Sequence, residues 1–101
     1  MSVIKDVISE EKDRLISLIS FYQSEIEKLP KGYISPKKRN DGVYYYISYR
    51  DGSKVRSKYI GKSDSDNLKE LIIAVKKRKD LESKLKQARV NLKEVQRMLN
   101  G

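Results

Sequence analysis

Between residues 31 and 62 the chain interleaves cations with phenol rings. The window holds nine Lys/Arg (Lys31, Lys37, Lys38, Arg39, Arg50, Lys54, Arg56, Lys58 and Lys62) and six of the seven tyrosines (Tyr33, Tyr44, Tyr45, Tyr46, Tyr49 and Tyr59). Its only acids are Asp41 and Asp51, so it carries +7 of the chain's net +9. Cations neutralise phosphates, and aromatic rings stack on bases and sugars. The chemistry that these residues offer in this mixture is the binding of nucleic acid.

Other chemistries find little to work with. The 101 residues include no cysteine and no histidine. That excludes disulfides and thiolate metal sites, and removes the side chain that most readily titrates near neutral pH. The expectation is a protein that is not an enzyme and uses no cofactor and no metal. The segment GYISPKKRNDG lacks the GxxxxGK[ST] spacing of a phosphate-cradling loop and reads instead as a turn with a basic approach. Neither a signal peptide nor an apolar run of about 18 residues is visible, so a cytoplasmic protein with no membrane partner is expected.

Two amphipathic patterns flank the basic window. Ile8, Leu15, Tyr22 and Leu29 recur every seven residues, with Ile4, Ile19 and Ile26 widening the same face. This predicts a helix over 3–29, ended by Pro30 and Gly32. After the cap-rich run Ser63-Asp64-Ser65-Asp66-Asn67, a second helix is expected over 66–99, with Asn100-Gly101 as its stop. Leu71, Arg78, Leu85, Leu92 and Leu99 hold one seven-residue position; Ala74, Leu81, Ala88 and Val95 hold the other. Leu68, Ile72 and Val75 broaden this seam towards the basic window. Arg78 is the one charge in it, and should snorkel or pair with a carboxylate on the first helix; the alternative is that this turn faces nucleic acid or a partner chain.

Three β segments fill the interval: 33–39, weakened by Pro36; 43–49, rich in tyrosine and β-branched residues; and 53–60. The register of the last two decides what they present. A two-residue turn at Asp51-Gly52 would pair Tyr49 with Lys54 and Ile47 with Arg56. A three-residue turn, Arg50-Asp51-Gly52, pairs Ile47 with Val55 and Tyr45 with Ser57. The second places Val43, Tyr45, Ile47, Tyr49, Val55 and Tyr59 on one face, and Tyr44, Tyr46, Ser48, Lys54, Arg56 and Lys58 on the other. It separates core from solvent and is the expected register. Basic residues on an exposed strand also blunt aggregation, but a solvated strand would not need such segregation of charge.

The segment LPKGYISPKKRNDGVYYYISYRDGSKVRSKYIGK, Leu29 to Lys62, resembles a group of small prokaryotic proteins of uncharacterised function. These share a pattern close to LPKG, a basic stretch, YYY, YR-x-G-x-KV-x-S-x-YIGK and a charged helix. The hairpin is also similar to the N-terminal β region of some insertion-sequence transposases and, in its basic character, to the arm-binding domain of phage-type integrases. The resemblance implies mobile-element DNA binding by Arg50, Lys54, Arg56 and Lys58, in a prokaryotic or phage-infected cell. It carries over no activity, since the chain has no recombinase catalytic segment.

The sequence is therefore read as one α+β domain over 1–101: a long helix, a three-stranded antiparallel meander, and a long helix, with the two helices packed as an antiparallel coiled-coil-like pair. The expected function is DNA binding, by a protein or accessory module of phage or mobile-element origin. Its binding residues are Lys37, Lys38, Arg39, Tyr44, Tyr46, Arg50, Lys54, Arg56 and Lys58. DNA is favoured over RNA, and a homodimer through the helices is expected. The alternatives are a small inhibitor or adaptor docking on a protein or nucleoprotein complex, and a coiled-coil scaffold.

Overall fold

The computed structural model describes residues 2–63 and 65–100. Asp64 of the cap-rich run and Gly101 of the expected stop lie outside them, as does Met1. The element order is α1 (Val3–Glu27), β1 (Tyr33–Arg39), β2 (Gly42–Asp51), β3 (Lys54–Lys62) and α2 (Asp66–Asn100). This is the α+β architecture expected from the periodicities, and α2 runs without interruption through Arg78.

The chain forms two compact units. One holds α1 with the part of α2 from Lys79 onward; the other runs from Leu29 to Arg78. In the helical unit, Leu15 is 1% exposed and Ala88 4%. Both lie on the heptad seams. Along all of α2 the seam positions Leu71, Ala74, Arg78, Leu81, Leu85, Ala88, Leu92, Val95 and Leu99 are buried or half-buried. Ile4 and Ile72, expected to widen the seams, are instead exposed.

The second unit is an antiparallel sheet of order β1-β2-β3 with the start of α2. Pro36 sits in an edge strand, where a missing N–H is tolerated. The buried apolar residues here are Ile47, Leu68 and Val75. Leu71 of α2 shares a cavity with Ile47, Tyr49 and Lys58, which puts the start of α2 over the Ile47 face. Arg78, half-buried, donates from Nη1 to the Leu29 carbonyl at 2.6 Å. The charge in the seam thus serves a main-chain oxygen just beyond α1.

The hairpin register differs from the expected one. The turn is Gly52-Ser53, flanked by the pair Asp51–Lys54. Gly52 has φ +63° and, among the described residues, no non-glycine residue has positive φ, the pattern of a two-residue turn with glycine first. Ile47 therefore pairs with Lys58 and Tyr49 with Arg56, while Tyr46 pairs with Tyr59. A bulge follows. Tyr45 pairs with Gly61 and Tyr44 with Lys62, so Ile60 is the extra residue on β3,.

Candidate nucleic-acid interface

Opposed residues in an antiparallel pair share a face, so this register sorts the expected binding residues into two groups. Tyr44, Tyr46 and Arg50 lie on one face with Lys37 and Arg39 of β1 and with Val55, Ser57, Tyr59 and Lys62 of β3. Lys38, Lys54, Arg56 and Lys58 lie on the other, with Ile47 and Tyr49. The expected union of Tyr44 and Tyr46 with Lys54, Arg56 and Lys58 is thus corrected. The turn falls one residue later than either register considered, and the strand parity of β3 is reversed against β2. Arg56 is also held in an ion pair, its Nε 2.8 Å from Asp51 Oδ2 on the same face.

The open face carries a compact ring cluster. Tyr59 packs edge-on against Tyr46, with centroids 5.5 Å apart and planes at 61°. It also meets Tyr44 at 6.0 Å and 44°. Each of the two β2 rings is met by cations. Lys37 Nζ lies 4.8 Å from the Tyr46 centroid. Arg39 and Lys62 lie 5.8 Å and 5.2 Å from that of Tyr44. These are cation–π distances. An open depression of about 450 Å³ is bounded by Arg39, Asp41, Tyr44, Tyr46 and Tyr59.

One acid tunes the cluster. The Tyr44 hydroxyl donates to Asp41 Oδ2 at 2.6 Å. That bond holds the Asp41 carboxyl below its ordinary value, helped by the charges of Lys62 and Arg39. The same bond raises the Tyr44 phenol. Lys62 is raised in turn, chiefly by its hydrogen bond with Tyr44. The turn carboxylate thus fixes the ring at the centre of the cluster. Beneath it Ser48, 7% exposed, is satisfied by the Ser57 hydroxyl at 3.0 Å.

The sequence reading omitted Tyr59 and Lys62 from the site. The signal for Tyr59 was Gly52-Ser53, a dipeptide suited to a two-residue hairpin turn; Lys62 reaches this face only through the bulge. Among the described residues, no group of acids could hold a metal ion, and no helix is long and apolar enough to cross a membrane.

No curated protein and no solved structure matches this chain. The family described as a domain of unknown function (DUF6788) does match, over residues 2–70. That span takes in α1, all three strands and the first turn of α2, so the whole tyrosine–cation face falls within it. With more than half of its residues covered, the chain belongs to this family.

Proposed function

We propose that the chain binds nucleic acid, with DNA the first candidate, through the open face of its sheet. The observation that carries this reading is the arrangement of Lys37, Arg39 and Lys62 around Tyr44 and Tyr46, with Tyr59 packed against both rings. Cations meet phosphates while neighbouring rings offer stacking surfaces, and neither contact requires a particular sequence. The site assignment moves from Lys54, Arg56 and Lys58 to Lys37, Arg39 and Lys62, with Tyr44, Tyr46 and Tyr59. Titration of a labelled DNA at two salt concentrations is the test. Salt-dependent affinity that falls on Lys37→Ala and Lys62→Ala, and holds on Lys54→Ala, supports the reading. Absence of salt-dependent binding at micromolar protein sinks it.

The reading includes a homodimer formed through the helices. Val3, Ile4 and Val7 of α1 are 76%, 71% and 58% exposed, an apolar stretch that a second copy would cover. Melting temperature should then rise with protein concentration. A concentration-independent value and a monomeric mass by light scattering would reject the dimer.

A further inference from the structure

Two short segments of the sequence, Leu29-Pro30-Lys31-Gly32 and Tyr59-Ile60-Gly61-Lys62, meet at one place. Pro30 and Lys31 from the first, and Tyr59 and Ile60 from the second, line a cavity of about 500 Å³. Ile47, Tyr49 and Leu71 give it further apolar walls, and Lys58 adds a second cation to Lys31. No acid lines it. An apolar, ring-containing cleft with two ammonium groups suits a flat aromatic ligand that carries negative charge. Tyr59 is the key wall: it lines this cavity and also the depression of the tyrosine cluster. Tyr59 lies on β3, an edge strand of the sheet.

We infer that this cavity, on the Ile47 face, receives one unpaired nucleotide of a strand that rounds the edge strand β3 from the open face, so that the ligand is single-stranded nucleic acid. The inference rests on the nucleic-acid reading of the tyrosine face and extends it to a second subsite. The base enters beside Tyr49 and Tyr59, against Ile47, Ile60 and Leu71. Its phosphates meet Lys31 and Lys58. A base held in a duplex is paired and stacked, and cannot enter without leaving its partner.

The test compares a labelled oligothymidylate, a duplex of the same length and an abasic strand of the same charge, each with the full chain. The single strand should bind about tenfold more tightly than the abasic strand, the scale of one lost stacking partner, and more tightly than the duplex. Leu71→Phe, which fills the cavity, and Lys58→Glu, at an exposed position, should each weaken the single strand about tenfold. Circular dichroism reports whether Leu71→Phe folds, and Lys58→Glu carries the test if it does not. Equal affinity for strand and duplex, unmoved by either variant, overturns the subsite and leaves the tyrosine face standing. Abasic binding as tight as that of the oligothymidylate also overturns it. If no nucleic acid binds, both readings fall together. Competition by an acidic aromatic peptide alone would assign the cavity to a protein partner instead.

Discussion

Arg78 Nη1 stands 2.6 Å from the carbonyl oxygen of Leu29, so the charge that interrupts a leucine seam serves the main chain just after α1. Hydrogen bonds from charged donors contribute about 1.5–3 kcal/mol. Arg78→Ala should therefore cost about 2 kcal/mol in chemical denaturation, and Arg78→Lys less, since an ammonium can still reach one acceptor. A neutral Arg78→Ala would show that solvent satisfies Leu29 equally well.

Burial ranks the seam positions. Leu15 and Leu68 are 1% and 2% exposed, so Leu15→Ala and Leu68→Ala should each cost about 2–5 kcal/mol. Leu85 is only half-buried, and its truncation should cost less. Lys86→Ala, at an exposed site, should stay within about 0.5 kcal/mol. Equal effects at Leu15 and Lys86 would place the seam on the wrong face.

The Asp41–Tyr44 bond predicts a pH signature. Asp41 titrates below its ordinary 3.8, so its contribution is present above that value and is lost as pH falls through the depressed one,. Tyr44 titrates above its ordinary 10.0, so its contribution holds below that value and is lost as pH rises through the raised one,. The bond should persist between these limits. In an NMR titration, Tyr44→Phe should return the Asp41 carboxyl towards 3.8. An Asp41 midpoint that does not move would contradict the bond.

Gly32 admits no side chain. Its φ is +113°, and a Cβ there would stand 2.3 Å from the Ser48 carbonyl oxygen. Gly32→Ala meets both backbone strain and a backbone clash, and should destabilise by about 1–3 kcal/mol for the strain alone. Gly42 is the control: its φ is +144°, but nothing lies within 4 Å of the added carbon. Gly42→Ala should cost distinctly less by thermal unfolding.

Salt dependence counts the phosphates met. Three cations ring the tyrosine cluster and Lys31 and Lys58 add two at the cavity, so single-strand affinity should fall with log[salt] at a slope of about −3.5, from about −0.7 per phosphate. Lys62→Ala should flatten the slope, and Lys54→Ala should leave it. The reverse result would restore the other face as the binding surface.

The helices were legible in the sequence because their seams repeat over many turns, and a single odd residue such as Arg78 leaves the pattern intact. The strands were legible in extent, since Gly42, Gly52 and the tyrosine run mark their limits. The pairing of β2 with β3 was not. Apolar alternation favoured setting Val55 and Tyr59 beside Ile47, yet Val55 is 61% exposed and the turn holds Lys58 opposite Ile47. In β3, turn geometry outweighed hydrophobic sorting, because the start of α2 already covers Ile47. Lys37, Arg39, Tyr44 and Tyr46 were named from composition and do come together. Lys62 could not be placed without the bulge.

That bulge makes the spacing of β3 as consequential as its composition. Before Ile60 one parity of residue numbers meets the tyrosine face; after it the other parity does. Were Ile60 to enter the ladder instead of bulging, it would stand opposite Tyr45 and Lys62 opposite Val43, and Tyr44 would lose the cation opposite it although every residue remained. Removing Ile60 would close the bulge and leave Gly61 and Lys62 opposite Tyr45 and Tyr44. In this hairpin the place of one unpaired residue decides which face the end of the strand serves.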